Sequence, residues 1–202
     1  NAEQIEGIRE SAKINTAVLD HVAANIREGM STEDINTLVY DFTVAHGAIP
    51  APLNYEGFPK SVCTSINEEV CHGIPDKNII LRSGDIINVD VSTIYNGYFS
   101  DASRMFMIGE VAEDRQKLVR VTKECLEKGI EAAQPWRFLG DVGAVIQEYA
   151  EENGYSVVRE FCGHGVGLKF HEIPEVEHVG RRGTGMLLVP GMIFTIEPMI
   201  NM

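Results

Sequence analysis

The sequence predicts an α+β protein with two pseudo-symmetric halves, each containing two helices followed by strands. In four segments apolar residues recur every three or four positions, which is the spacing of amphipathic helices. Runs rich in β-branched and aromatic residues follow each pair of helices, and an Asn-Gly dipeptide joins two of these runs. Because the order helix, helix, strands occurs twice, we expect the halves to close around one central antiparallel sheet.

The first half begins with two predicted helices. The apolar pattern of the first helix starts at Ile5, and Gly29 ends it. Ser31 and Asp34 have the spacing of a capping box, and the second helix continues to Gly47. The elements predicted after it are an extended loop with Pro50, Pro52 and Pro59, a strand at 61–67 and a turn at 70–75.

A β-hairpin in residues 84–106 is the strongest local signal. Asn96 and Gly97 lie between two strand-like runs, and a type I′ turn needs positive φ at both of its central positions. With these two residues as the loop, Tyr95 pairs with Tyr98, and this pair sets the register of both strands.

This register predicts two aspartates on one face of the hairpin. Ser92 lies opposite Asp101, and Asp90 lies opposite Ser103. Since side chains alternate along a strand, Asp90 and Asp101 are diagonal neighbours about 7–8 Å apart at Cα. That separation suits carboxylates that bracket two metal ions about 3.5–4 Å apart.

The hairpin alone leaves two interpretations of these aspartates open. Most aspartates in hairpins are solvated on an exposed strand face. Two buried carboxylates repel each other and lose their hydration, and a bound cation would offset both costs. We expect much of the ribbon to be buried because of its apolar residues Ile86, Ile87, Val89, Val91, Phe99 and Phe106.

The second half repeats the order of elements. Apolar positions from Leu118 to Ile130 predict a long helix that ends near Pro135, and those from Val142 to Tyr149 predict a shorter one. Strands are predicted at 155–161, 185–189 and 192–197.

Composition and cysteine spacing restrict the partners and the compartment. With 17 Lys and Arg against 30 Asp and Glu, the net charge of −13 disfavours a nucleic-acid partner, whose binding needs clustered cations. No apolar run reaches membrane-spanning length and no signal peptide is recognised, so we expect a cytoplasmic protein without a membrane partner. No CxxC spacing occurs, and we expect four reduced thiols at Cys63, Cys71, Cys125 and Cys162.

Three further motifs carry residues that are typical of catalytic sites. Residues 71–75 read Cys-His-Gly-Ile-Pro, residues 163–174 contain Gly-His-Gly-Val-Gly and Phe-His-Glu-Ile-Pro, and residues 194–199 read Phe-Thr-Ile-Glu-Pro-Met. A single histidine beside glycine is more often structural. The joint set, together with Asp90 and Asp101, is far more specific.

Together these motifs resemble those of the bacterial type I methionine aminopeptidases, which are dinuclear metallopeptidases with the pita-bread fold. The interval of 11 residues between Asp90 and Asp101 and that of 33 between His164 and Glu197 are also those of type I. Further similarity covers residues 5–9, 54–63, 65–68 and 197–199.

The resemblance implies a site for two divalent ions. Asp90 would chelate one ion, and Asp101 would bridge both. His164 and Glu197 would hold the other ion, and Glu197 is also a candidate to take the proton of an activated water. One imidazole among carboxylates favours Mn²⁺, Fe²⁺ or Co²⁺, with Ni²⁺ or Zn²⁺ as further candidates, over a thiolate-type zinc site.

The resemblance also implies two catalytic histidines outside the ligand set. His72 matches the histidine that contacts the scissile amide, and His171 matches the one beside the developing oxyanion. Spacing alone leaves open a ligand role for His171. Cys63 would be a reactive or ligandable thiol at the pocket wall and not a disulfide partner, although free cysteines are commonly buried and inert. The residues implied to bind the methionine substrate are Tyr55, Phe58, Cys63, His72, Phe170 and His171.

The implied function is removal of the N-terminal methionine from nascent proteins and peptides by metal-activated attack of water on the first peptide bond. We expect residues 1–202 to form a single metallopeptidase domain that is truncated at its C-terminus, because the family's fifth ligand is a glutamate beyond Met202. We also expect the protein to be a monomer and to have the ribosome as a partner. The pair Pro135-Trp136 departs from the family's Pro-Gly and should change only a surface turn.

Three alternatives stay open. An Xaa-Pro peptidase shares the fold but usually has an additional N-terminal domain. A non-catalytic pita-bread binding protein tends to lose ligands, and a carboxylate-metal phosphoesterase needs basic residues around its site. The ligand and histidine set is complete here, with Asp90, Asp101, His164, Glu197, His72 and His171.

Overall fold

The computed structural model describes all 202 residues, which form two compact units. The first unit comprises Asn1–Ala112 with Gly167–Phe170, and the second comprises Glu113–Val166 with His171–Met202. Each unit holds two helices and antiparallel strand pairs, so the predicted α+β class is confirmed. That residues 1–202 act as a single domain stays a prediction.

Capping boxes begin both helices of the first unit. The Ser31 hydroxyl accepts a hydrogen bond from the Asp34 N–H at 3.1 Å, and the Asp34 carboxylate accepts one from the Ser31 N–H at 2.7 Å, as the sequence predicted. Asn1 and Gln4 cap the first helix in the same way. The elements of this unit are α1 (Ala2–Asn25), α2 (Thr32–Ala45), β1 (Ile49–Pro50), β2 (Cys63–Ile66), β3 (Ile86–Tyr95) and β4 (Tyr98–Met107).

The predicted hairpin is confirmed as β3 and β4. Asn96 and Gly97 form its turn with φ values of 50° and 83°, which are the positive values that a type I′ turn requires. Tyr95 pairs with Tyr98, and β4 follows β3 along its whole length. Both β1 and β2 pair with β3, on the edge away from β4. The pairs predicted for the aspartates are also present, Ser92 with Asp101 and Asp90 with Ser103.

Burial of the hairpin is uneven. In β3 the side chains of Ile87, Val89 and Val91 are fully buried in the core of the first unit. In β4 both Phe99 and Phe106 are only half-buried. The expected burial of the hairpin is therefore confirmed for β3 and only partly for β4. The reason is that β4 is an edge strand, paired on one side only.

In the second unit α3 and α4 pack together over a separate apolar core. Both helices lie where the sequence predicted them, and both end within three residues of the predicted positions. None of the helices in the chain combines the length and the apolar character that a membrane crossing needs. The elements of this unit are α3 (Glu113–Ala132), α4 (Leu139–Glu152), β5 (Ser156–Val157), β6 (Gly163–Gly165), β7 (Glu172–Val176) and β8 (Ile200–Asn201).

The strand predictions for the second unit were largely wrong. Residues 185–189 and 192–197 form only isolated bridges, and 155–161 shortens to β5. The apolar run at 185–189 pairs instead with the irregular segment between α3 and α4, as in the bond from the Leu188 N–H to the Arg137 carbonyl at 2.8 Å. Where one sheet was expected, the strand pairs form three: one of four strands in the first unit, and β5–β8 and β6–β7 in the second.

Candidate active site

The first unit presents two carboxylates on one face of its hairpin. Asp90 lies in β3 and Asp101 in β4, and both are half-buried. Their register makes them diagonal neighbours on the face opposite to the buried Val89 and Val91. The backbone ladder therefore places both acids on one face of the hairpin.

Cys63 lies next to these acids because it pairs directly with Asp90 between β2 and β3. Its thiol is not part of a disulfide, as predicted, and the residue is only 8% exposed. Burial raises the pKa of Cys63, and the charges of Asp90 and Asp101 raise that pKa further. The expectation of a reactive thiol is therefore wrong, because a protonated buried thiol is a poor nucleophile. The role of Cys63 as a pocket residue stays a prediction.

An aromatic cluster in the same unit contains two of the predicted pocket residues. The Tyr55 and Phe170 rings meet edge to face, with centroids 4.9 Å apart. Phe99 stacks on Phe170 at 6.0 Å, and its N–H donates to the Gly167 carbonyl at 2.8 Å. The sequence analysis assigned Phe99 only to the hairpin core. Phe58 is half-buried and lies outside these ring contacts.

His72 is an exposed side chain on a loop that runs beside β2. Its φ of 56° places it in the left-handed region, which is uncommon for a residue other than glycine. The next residue is held on both sides, since the Gly73 carbonyl accepts from the Thr64 N–H at 2.8 Å and its own N–H donates to the Ser65 hydroxyl at 3.1 Å. The loop thus presents His72 in a defined backbone conformation.

In the second unit His164 and Glu197 lie side by side, with His164 Nε2 3.6 Å from Glu197 Oε1. His164 Nδ1 lies 2.9 Å from the Gly165 carbonyl oxygen, which can only accept a hydrogen bond. In the neutral ring the proton is therefore on Nδ1, and Nε2 carries the lone pair. This is the arrangement by which a hydrogen bond orients a histidine ligand towards a metal ion.

Thr195 links these two side chains. Its hydroxyl donates to Glu197 Oε1 at 2.5 Å and accepts from the His164 N–H at 2.9 Å. Its own N–H donates to the His164 carbonyl at 2.8 Å. Thr195 was part of a motif noted in the sequence but was given no role there.

His178 was missed by the sequence analysis. It is 1% exposed, and its Nε2 accepts a hydrogen bond from the Glu197 N–H at 3.0 Å. Burial lowers the pKa of His178 to about 4, so the ring is neutral at physiological pH. His178 does not lie in a glycine-rich motif like those of His72 and His164. The only sequence feature that could have pointed to it is its place two residues after β7.

His171 lies beside the His164 ring, with centroids 4.3 Å apart and a tilt of 56°. Its side chain is exposed, whereas that of His164 is half-buried. The structure thus groups His164, His171 and Glu197 in one unit. Whether His171 acts on an oxyanion or as a ligand stays a prediction.

The donor chemistry of both units fits divalent cations. Asp90 and Asp101 supply carboxylate oxygens, while His164 supplies an imidazole oriented by the Gly165 carbonyl and Glu197 supplies a third carboxylate. Such oxygen-rich sets suit Mn²⁺, Fe²⁺ or Co²⁺. Three or more His, Cys, Asp or Glu side chains do not converge into a metal-binding cluster within either unit.

Comparison with known proteins agrees with this chemistry. The family described as metallopeptidase family M24 matches residues 6–202. Methionine aminopeptidase A of Synechocystis sp. is 52% identical over 198 residues, which are 98% of this chain and 78% of that protein. The methionine aminopeptidase of Rickettsia prowazekii is 48% identical over 194 residues, 96% of this chain and 74% of that protein.

Solved structures give the same result. The crystal structure of methionine aminopeptidase from R. prowazekii matches with a TM-score of 0.97 at 46% identity, over 100% of this chain and 81% of that one. Prolidase from Pyrococcus furiosus, at 24% identity and a TM-score of 0.81 over 98% of this chain and 56% of that one, shares the fold. The predicted pita-bread fold is confirmed. The chain belongs to metallopeptidase family M24 and, within it, to the methionine aminopeptidases.

Proposed function

We propose that this chain removes the N-terminal methionine from nascent proteins and peptides by metal-activated attack of water on the first peptide bond. The observation that carries the proposal is the oriented pair of His164 and Glu197, 3.6 Å apart, in a chain 52% identical to a methionine aminopeptidase. The enzyme is a metallopeptidase and depends on divalent metal.

We further propose that the enzyme uses two ions. Asp90 and Asp101 would hold one of them, and Asp101, His164 and Glu197 would hold the other, with Asp101 shared. When bound, divalent ions lower the pKa of a water molecule so that it becomes a nucleophile at neutral pH. Among the candidates Mn²⁺, Fe²⁺, Co²⁺, Ni²⁺ and Zn²⁺, the first three match this donor set best.

The side chains of the second unit would handle the proton and the developing charge. The Glu197 carboxylate is the proposed base, and the Thr195 hydroxyl on Oε1 orients it. His171 would donate to the oxyanion that forms on the carbonyl oxygen. One donor of this kind is worth about 10²–10³ in rate.

The first unit would bind the substrate. Tyr55 and Phe170 form an aromatic wall, to which Phe99 adds a third ring, and the flexible thioether of methionine packs well against such surfaces. Phe58 and Cys63 are further proposed wall residues. His72 would contact the scissile amide from its loop.

Nascent chains are the proposed substrates, which makes the ribosome a proposed partner. The proposed enzyme is a monomer that acts in the cytoplasm, where nascent chains emerge from the ribosome. The Xaa-Pro peptidase alternative has less support, since the identity to a prolidase structure is 24% against 46% for a methionine aminopeptidase structure.

A two-substrate assay tests the proposal. The purified protein, stripped with EDTA and then supplied in separate reactions with Mn²⁺, Fe²⁺, Co²⁺, Ni²⁺ or Zn²⁺, should release methionine from Met-Ala-Ser and leave Ala-Pro peptides intact. Mass spectrometry of the products identifies the bond that is cut. Cleavage of the Ala-Pro peptide would indicate an Xaa-Pro peptidase. Absence of cleavage with each of the five ions would contradict the proposed function.

A further inference from the structure

We propose that His178 is a positioning residue for Glu197, acting through the main chain of that residue. The inference rests on the proposed function, because the position of Glu197 matters for activity only if its carboxylate serves the site. His178 itself lies outside the proposed set of ligands and substrate-binding residues.

The geometry defines what the imidazole does. His178 Nε2 accepts the Glu197 N–H at 3.0 Å, so Nε2 carries a lone pair and the ring proton must be on Nδ1. His178 Nδ1 is buried and has no hydrogen-bond partner in the protein. An apolar side chain of similar size would avoid the cost of that unpaired group. The bond to Glu197 is therefore the specific contribution of this ring.

The backbone around His178 is held against α4. A Cβ atom at Gly143 would lie only 2.5 Å from the Val179 carbonyl oxygen and 2.8 Å from that of Glu177, so the main chain on both sides of His178 contacts the helix directly. The Gly180 N–H also donates to the Gln147 side chain at 3.3 Å. The segment that carries the imidazole is thus held against α4 by direct main-chain and side-chain contacts.

Glu197 needs such support because residues 192–197 form no regular strand. In a regular strand, a carbonyl group of the neighbouring strand would accept a hydrogen bond from the backbone N–H and so fix its position. Here the His178 ring accepts the hydrogen bond from the Glu197 N–H instead. Thr195 holds the other end of the side chain through Oε1 at 2.5 Å. His178 and Thr195 therefore restrain Glu197 at its main chain and at its carboxylate, respectively.

Two substitutions separate the acceptor from the bulk of the ring. His178→Phe keeps a ring of similar size and removes the acceptor, while His178→Gln retains an oxygen acceptor at a similar reach. Val121→Ala, a buried change in α3, serves as the control for general destabilisation of the second unit. Each variant is titrated with Co²⁺ alone, and the visible absorption of bound Co²⁺ reports both affinity and coordination.

His178→Phe should weaken Co²⁺ binding about 10–100-fold and lower kcat with little change in KM, as expected when a supporting contact of a metal ligand is lost. His178→Gln should recover most of the affinity, and Val121→Ala should lower only the melting temperature. Wild-type affinity in a folded His178→Phe protein would overturn the proposal. Equal losses in the Phe and Gln variants would show that the acceptor is not what matters.

A measurement on the metal-free wild-type protein tests the contact between His178 and Glu197 directly. Its result depends neither on the proposed function nor on whether a variant folds. In the metal-free wild-type protein at neutral pH, ¹⁵N NMR of the histidine rings should show His178 as the neutral Nδ1–H tautomer. The Nε2–H tautomer would overturn the proposal. If wild-type protein shows this Nδ1–H tautomer but neither binds metal nor cleaves peptides, the proposed function fails while the contact between His178 and Glu197 stands.

Discussion

The acids of the first unit and the histidine-glutamate pair of the second unit are positioned by different means. Asp90 and Asp101 follow from the register of a regular hairpin, in which each strand residue is held by the backbone ladder. His164 and Glu197 lie on short or irregular segments and are held by side chains, the Thr195 hydroxyl and the His178 ring. The comparison implies that neighbours should matter little in the first unit and greatly in the second.

The largest effect is expected from the hairpin acids themselves. Asp101→Asn should abolish binding of both ions, because a bridging carboxylate neutralises two cations. Activity should fall by more than about 10–100-fold, which is the typical loss when a residue that supports a metal ligand is changed. Asp90→Asn should be less damaging, since it serves one ion. Metal analysis of the two purified variants measures this. Equal metal loss would contradict the bridging role of Asp101.

His72→Ala should separate catalysis from metal binding. The residue is exposed and outside the ligand set, so the variant should keep its metal content and its stability while kcat falls about 10²–10³-fold. His46→Ala, a second exposed histidine of the first unit, is the matched control and should keep wild-type activity. A His72→Ala protein that loses its metal would show that this histidine is a ligand.

Thr195→Val tests the comparison between the units directly. Valine keeps the shape but removes the hydroxyl that bonds Glu197 Oε1, so metal affinity should fall about 10–100-fold. The counterpart in the hairpin is Ser103→Ala, opposite Asp90, which should leave affinity unchanged because the ladder positions the acid. Similar losses in both variants, measured by metal titration, would remove the distinction between the units.

The smallest effect concerns Cys63. Its burial and raised pKa should make iodoacetamide labelling at pH 8 at least about tenfold slower than that of an unfolded cysteine, since each unit of pKa lowers the thiolate fraction about tenfold. Peptide mass spectrometry of native and urea-unfolded protein compares the two rates. Equal rates would show that the β2 edge opens readily. Protection by a methionine analogue would still support Cys63 as a pocket residue.

Local rules of the chain were enough to predict much of the first unit. The Asn96-Gly97 turn determines the complete register of β3 and β4, and the Ser31-Asp34 capping box determines where α2 begins. Both features depend on residues close together in sequence. For the same reason the diagonal arrangement of Asp90 and Asp101 could be derived before the structure was known.

The second unit shows where such reasoning stops. Residues 185–197 have strand-like composition, yet they form only isolated bridges, one to Phe138 and one to Gly165 of β6. Strand β6 itself forms from a glycine-rich run with little strand propensity. Propensity cannot predict these pairings because the partner lies far away in the chain.

What the sequence by itself determined is the α+β class, the four helices, the hairpin register and, through resemblance, the family and the set of candidate catalytic residues. Only the tertiary structure decided that Cys63 is buried beside Asp90, that Phe99 joins the Tyr55–Phe170 cluster and that His178 supports Glu197. The physical reason is the range of the interactions. Turns and caps are satisfied within a few residues, whereas burial and side-chain hydrogen bonds depend on which distant segments the folded chain brings together.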